Sequence, residues 1–494
     1  MDGEEIFLKS RGFAVIKTGR KKTRPPGRGN STRERNGRMP RDYQRAIGFL
    51  ENRTNYERFR QIPYDRMGEN LPRLARFVGT LPLRRRAKTI HLAGTKGKGT
   101  TALFLEKIFR DRGARTGLFT SPHLFAWEER FAVGGAPCAA DDLAETLLEL
   151  EERLAAFEKN NPGGIPFTTF ELSTAAALLL FEKKECDLIL LETGLGGRRD
   201  ATNICRPDLV VLTSLGYEHQ KQLGSSLAEI AAEKGGIIKP RVPVVSGIGI
   251  DRDRLPPSSA LGAFPDFLRE KTVTREAMSG ALSVIRRIAF DLGAPLFEPT
   301  HVGPEAAAAA RNRIGSAQAR CAQIALSAAE LLAGPSDAVR RRAWCASIRD
   351  AVLPARGEIL RRAPLVIVDG AHTRDSAASL AEGLEPLGAA RRTLVFAALA
   401  DKDVEGILWE LMPKFDRVFL TEIPDTPRSL GVGELEPRAR RIAAALPPDR
   451  APTIAAEADA AKLFRAARDF PADELLCAAG SFRLAALAAA ALRE

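Results

Sequence analysis

Eight residues, Gly94-Thr95-Lys96-Gly97-Lys98-Gly99-Thr100-Thr101, constrain this chain more than any other stretch. They follow a short apolar run at 87–93 and precede a helical pattern that continues to about 112 and stops at Gly113. Glycines at such a junction let backbone N–H groups approach an anion closely, and the helix N-terminus adds a favourable dipole. The predicted unit is a strand, a phosphate-binding loop and a helix. Lys98 supplies a point charge for β- and γ-phosphates, the Thr100 hydroxyl is placed for Mg²⁺, and Thr95, Gly97 and Gly99 complete the loop. The pattern departs from the usual phosphate-loop motif, because Gly99 separates the lysine from the hydroxyl residue and position 92 is Leu. A plain glycine turn is the competing reading, and the strand–loop–helix context favours phosphate.

The same alternation runs along the rest of the chain. A strand at 116–120 leads into Ser121-Pro122-His123, and helical stretches cover about 140–158 and 169–184. Continuous apolar runs at 187–191 and 208–213 suit strands of a parallel sheet covered on both faces. Residues 250–315, basic and broken by Pro and Gly, give no clear pattern. From about 351 the alternation restarts, with strands at 365–368, 393–398 and 417–421 and helices at 375–386 and 403–413. A last strand and helix occupy 474–493. The expectation is an α/β protein of two doubly wound domains, with the boundary between 340 and 357. A length of 494 residues accommodates both.

Composition narrows the class. The chain is 45% apolar, which excludes wholesale disorder, and it has no run of about 18 uncharged apolar residues of the kind that spans a membrane. No signal-type apolar segment opens it. The six cysteines, at 138, 186, 205, 321, 345 and 477, are widely spaced with no CxxC, which argues against a disulfide framework and for a reducing, cytoplasmic compartment. The net charge of +12 invites nucleic acid, but residues 1–38 hold eleven Lys or Arg and four acidic residues, leaving only +5 for the remainder. That arm reads as a basic, disordered extension, with Met39 an alternative start and phosphate contacts to RNA an alternative use.

Four further clusters follow, three of them at predicted strand ends, where open α/β sheets place ligands, and one, around Lys234, at a helix end. Glu192, in Leu191-Glu192-Thr193-Gly194-Leu195-Gly196-Gly197-Arg198-Arg199-Asp200, is suited to a hard cation or to pairing with Arg198. His219, one of five histidines, follows Gly216-Tyr217-Glu218 and taken alone reads as structural. Lys234, in Glu233-Lys234-Gly235-Gly236-Ile237-Ile238-Lys239, reads alone as a helix-end lysine. Asp369-Gly370-Ala371-His372 closes the first strand of the second unit.

Together and in this order, GTKGKGTT, FTSPHL (119–124) with Glu129-Arg130, LETGLGGRRDATN (191–203), EKGGIIK (233–239), VDGAH (368–372) and LADKD (399–403) resemble the folylpolyglutamate synthase/dihydrofolate synthase family of the Mur ligase superfamily. The resemblance begins at Asp42-Tyr43 and Asn55-Tyr56-Glu57-Arg58, covers about 41–494 and omits the arm. It implies a P-loop ATPase domain of Mur-ligase type at 39–350 and a smaller, Rossmann-like ligase domain at 351–494. It also implies a monomeric enzyme, independent of membranes and nucleic acid, that uses ATP and Mg²⁺ to join L-glutamate to a folate or to dihydropteroate. By motif position, Ser121, Glu192, His219 and a carbamylated Lys234 correspond to metal ligands, and Gly97 to Thr100 to the ATP loop. Arg356 and Asp369 correspond to ATP contacts of the second domain, and His372 to a group near the acyl phosphate or incoming glutamate. Thr168, Thr169, Phe170 and Glu171 correspond to a segment contacting the pterin-bearing substrate. Lys98, Lys234 and His372 are the catalytic candidates.

Departures from the family pattern are Lys96 where many bacterial members have Asn, Glu218 for Asp, Cys321 for an ATP-contacting Asn, and Ala355 for Gly. The competing readings are a ligase of peptidoglycan precursors, a nucleotide-dependent RNA-binding protein using the arm, and an ATP-binding scaffold without turnover.

Overall fold

The computed structural model of the chain describes residues 41–58, 68–250, 252–311, 314–424 and 426–493. The basic extension at 1–38 and the alternative start at Met39 lie outside the described residues.

Two sheets organise the molecule. The first contains β1 (Lys88–Ala93), β2 (Thr116–Phe119), β3 (Phe131–Val133), β4 (Ala136–Pro137), β5 (Leu188–Glu192), β6 (Leu209–Leu212), β7 (Val244–Ser246) and β8 (Leu296–Phe297). Their order is β4-β3-β2-β5-β1-β6-β7-β8. Six strands are parallel, and β3 and β4 form an antiparallel edge. Successive residues of β5 serve opposite faces, as strand geometry requires. Leu188 and Leu190 pack with the helices Lys98–Arg110 and Ala317–Ala333, whereas Ile189 and Leu191 pack with Thr169–Lys183 and Ala140–Asn160. Both layers are apolar, so β5 reads as an unbroken hydrophobic run rather than an alternating one.

Strand order reverses at β1. The chain leaves it for β2 and β5 on one side and later places β6, β7 and β8 on the other. At such a reversal the connections diverge above and below the sheet and leave a crevice at the carboxyl ends of the strands. Gly94–Thr101 lies in that crevice, with Glu192 at the end of β5 and Thr213 just beyond β6.

The second sheet contains β9 (Glu358–Arg362), β10 (Leu365–Val368), β11 (Arg391–Phe396), β12 (Arg417–Leu420), β13 (Thr453–Ala456) and β14 (Glu474–Ala479), in the order β13-β12-β11-β14-β10-β9. Only β9 is antiparallel. Core membership changes between Leu353, which packs with the first sheet, and Ala355, which packs with the second. The α/β expectation of two doubly wound units is met, with short antiparallel edges that two- to five-residue strands did not announce.

The unreadable region at 250–315 resolves into the helix Arg275–Asp291, capped by the Thr274 hydroxyl, the short helices Asp266–Arg269 and Pro304–Ala309, the two-residue β8, and short turns. Part of it touches the second sheet's helices. Lys271 pairs with Asp403 at 2.8 Å, and Arg374 Nη1 donates to Thr272 Oγ1 at 2.6 Å.

Candidate functional site

The loop is held by hydroxyls from its neighbour strand. Thr213 Oγ1 donates to the Lys96 carbonyl at 2.6 Å, and Ser214 Oγ accepts from the Lys96 N–H at 2.9 Å. The Gly216 N–H donates to Thr95 Oγ1 at 3.1 Å. Gly97 has φ +82° and precedes the helix, a left-handed conformation that a side chain resists. The first N–H groups of the helix Lys98–Arg110 have no acceptor within the helix, which leaves them for a ligand or solvent. Lys98 Nζ folds back to the Gly94 carbonyl at 3.0 Å.

Glu192 is buried beside this loop, and its Oε2 has no hydrogen-bond partner. Burial raises its pKa, opposed by Lys98, Arg356 and a hydrogen bond from the Ser121 backbone. A buried carboxylate oxygen with nothing to bond costs free energy unless a cation or proton meets it. The same pocket holds Lys234, whose ammonium burial and Lys98 pull down to about 7. It also holds His219, which burial and Lys402 lower to about 3 and so keep as a neutral imidazole. Among the described residues no three His, Cys, Asp or Glu side chains converge as a ready metal centre. The donors present, an unpartnered carboxylate oxygen, a neutral imidazole and a lysine near neutrality, fit a divalent cation once the lysine carries an anionic group.

The loop 193–203 is built around Asp200. Its Oδ2 accepts from the Gly194 and Leu195 N–H groups, each at 2.9 Å, and its Oδ1 from the Thr202 N–H and hydroxyl at 3.0 and 2.5 Å. Thr202 also meets the buried His91 at 2.8 Å. Arg198 pairs with Glu233.

The second sheet contributes from above the loop. Arg356 rests its guanidinium 5.0 Å from the Phe482 ring centroid and reaches over Gly99. Burial pushes Asp369, at the end of β10, up to about 7. His372 Nε2 lies 2.7 Å from Lys96 Nζ, and Lys96 and Lys402 both grip Glu218, at 3.1 and 2.9 Å. Although burial pushes the Glu218 carboxyl up, Lys402 and Lys96 hold it well below the usual range. The sequence motifs containing Lys96, Glu218 and Lys402 assign these three residues no role. Their pairing crosses 122 and 184 positions of sequence, and no local pattern signals it.

The segment 168–171 divides. Thr168 and Glu171 form a reciprocal cap on the helix Thr169–Lys183, and Thr169 Oγ1 donates to the Leu50 carbonyl at 3.0 Å. Phe170 packs against Phe119 and Gly194, closest of the four to the strand ends. Cys321 Sγ sits 3.7 Å from the Gly97 carbonyl, beneath the loop.

A phosphate loop at the reversal of one α/β sheet, met by cationic and imidazole groups from a second sheet, defines a two-lobed, nucleotide-using ligase of the Mur type. Residues 355–482 match the family model described as Mur ligase, glutamate ligase domain. The dihydrofolate synthase/folylpolyglutamate synthase of Mycobacterium tuberculosis is 31% identical over 389 residues, 76% of this chain and 78% of that protein. The structure of M. tuberculosis folylpolyglutamate synthase complexed with ADP superposes with a TM-score of 0.70 at 25% identity, covering 92% of this chain and 98% of that one. The bifunctional Yersinia pestis enzyme complexed with AMPPNP and a Mn ion gives 0.67 at 25% identity, covering 92% and 100%. The chain belongs to the dihydrofolate synthase/folylpolyglutamate synthase family.

Proposed function

We propose that this chain joins L-glutamate to a folate, to dihydropteroate, or to both, with ATP as phosphoryl donor. The observation that carries the reading is the phosphate loop at the reversal of the first sheet, with the unpartnered Glu192 Oε2 and the Arg356 guanidinium both against Gly99. Lys98 acts electrostatically on Glu192 and on Lys234, and Lys234 on His219, which links these distant segments to the loop.

In the reaction the substrate carboxylate attacks the γ-phosphorus of ATP, ADP leaves, and an acyl phosphate forms. The glutamate amine then attacks the acyl carbon, inorganic phosphate leaves, and one proton is released. A carboxylate is a poor electrophile, and phosphorylation supplies the leaving group. The loop amides, Lys98 and Arg356 bind the phosphates, so that developing negative charge meets fixed donors. Thr95, Gly97, Gly99 and Thr100 shape the cradle, and Asp369 contacts the nucleotide from the second sheet. Ser121, Glu192, His219 and Lys234 as its carbamate would hold the divalent cation, which supplies positive charge to the phosphates when bound. A neutral lysine is the form that adds CO2, and the burial of Lys234 provides it at physiological pH. His372 serves the acyl phosphate or the incoming amine, and Phe170 faces the pterin-bearing substrate.

We place the reaction in the cytoplasm, in a monomer whose bodies are 39–350 and 351–494. Supporting this, all six cysteines are unpaired, and among the described residues no helix is long and apolar enough to cross a membrane. Full-length protein with ATP, Mg²⁺ and labelled glutamate, tried separately with dihydropteroate and tetrahydrofolate, tests the reading and separates the two activities. Lys98→Ala abolishes glutamate-dependent phosphate release, and retention of that release overturns the proposal. Removal of residues 1–38 leaves turnover intact, whereas an RNA-binding role for the arm predicts lost affinity and a lost salt dependence.

A further inference from the structure

Lys96 and Lys98 share a loop and send their side chains in different directions. Lys98 folds back onto the Gly94 carbonyl. Lys96 has its backbone pinned by Thr213 and Ser214, and its side chain runs toward the second sheet. Its ammonium lies 3.1 Å from Glu218 Oε2 and 2.7 Å from His372 Nε2, a residue 276 positions away.

The far side of that imidazole is also fixed. His372 Nδ1 lies 2.7 Å from the Gly370 carbonyl, which accepts only, so Nδ1 carries the proton. Nε2 therefore presents its lone pair, and the Lys96 ammonium donates to it. Burial and Lys96 together lower His372 to about 4, in keeping with a neutral ring. Phe482 supports one face of it at 5.7 Å between centroids.

We propose that Lys96 is a positioning residue that ties His372 of the second sheet to the phosphate loop of the first, keeping Nε2 of the imidazole unprotonated and the ring in place beside the nucleotide cradle. This rests on the ligase reading for its purpose but not for its geometry. Phosphate loop and histidine become one unit, assembled only when the sheets meet. With Lys96 truncated, Nε2 still faces Glu218 Oε1 at 3.5 Å, an acceptor. Nε2 must then take up a proton to bond to it, and the lone pair is lost.

The test is nitrogen NMR on full-length protein labelled at histidine, which has five such residues, with His372 assigned by subtraction in His372→Gln. In the wild type and in Lys96→Arg, which keeps a donor, His372 Nε2 resonates as an unprotonated nitrogen. In Lys96→Met it moves to the protonated position. In the same variants glutamate-dependent turnover falls about tenfold or more in Lys96→Met and is partly restored in Lys96→Arg, while the KM for ATP stays within about twofold. A wild-type Nε2 that is already protonated, or one unmoved by Lys96→Met, overturns the proposal. So does a KM for ATP that rises about tenfold with turnover retained, because Lys96 would then be a nucleotide-binding group. If the wild type turns over no folate at all, the ligase reading falls, and the nitrogen spectrum still decides the role of Lys96.

Discussion

Arg356, from the second sheet, lies directly over Gly99 in the first, so that a Cβ built on Gly99 would come 2.7 Å from its Nη2 and 3.3 Å from Glu192 Oε2. The missing side chain is what lets an arginine and a carboxylate of different sheets both close on the loop.

Gly99→Ala therefore separates folding from function. Gly99 is in the first turn of its helix, where alanine is favoured by up to ~1 kcal/mol. The displaced atom is the end of a flexible side chain, which swings aside at similar cost. Thermal unfolding should shift by no more than about 4 °C. Ligase turnover should fall about tenfold or more, because Arg356 no longer reaches the phosphates. Phosphate release assays and a melting curve on the same sample check both halves.

Glu218 holds two lysines and faces His372 within a largely buried cluster. Glu218→Gln keeps the shape and removes the charge, leaving Lys96 and Lys402 close together with no anion between them. Breaking a buried pair in this way costs about 3 kcal/mol. Because the carboxyl is held below its ordinary pKa, its contribution is present above about pH 4.5 and lost as pH falls through the folded value. Urea denaturation at neutral pH should show the loss, and the wild type and Glu218→Gln should converge in acid.

How far the molecule could be read beforehand depends on the range of each interaction. β1, β5 and β6 were legible because burial on both faces makes them continuous apolar runs, and Gly94 and Gly113 mark the loop and the end of its helix. β4 and β8, each two residues long, carry no periodicity to detect. Thr168-x-x-Glu171 carries the spacing of a capping box, and the structure forms that box. Asp200 was missed because most of its partners are backbone amides, which look alike in every sequence. Lys96, Glu218, His372 and Lys402 come from four strand ends in two sheets, and only the closed arrangement of those sheets reveals that they share hydrogen bonds.

Asp369 gives the second sheet a pH dependence of opposite sign to Glu218. Burial lifts its carboxyl to about 7, so the folded protein prefers it protonated. Its stabilising contribution is full below about pH 4, the unfolded value, and declines as pH rises through about 7. Asp369→Asn, which mimics the protonated form, should lie close to the wild type only below about pH 4 and be increasingly the more stable as pH rises toward 8. Melting temperatures across that range measure the crossover. A wild type at least as stable as Asp369→Asn at pH 8 would mean that the charged carboxylate finds compensation in Arg356.

Lys234 sets stability against activity most directly. Burial lowers its ammonium to about 7 from an ordinary 10.5, so folding must strip a proton from it over that whole interval. The cost is greatest below about pH 7 and vanishes above about 10.5, which makes stability rise with pH between the two. Lys234→Met fills the same space without an amine and removes the cost, so its melting temperature at pH 7 should exceed that of the wild type prepared without CO2. Carbamylation answers the same problem chemically, by turning the buried amine into an anion facing a cation. Added bicarbonate should accordingly raise wild-type activity and leave Lys234→Met inactive, with turnover lower by about 100-fold or more. Bicarbonate-independent activity in degassed wild type, or turnover retained in Lys234→Met, would remove Lys234 from the metal site and leave its burial without a chemical reason.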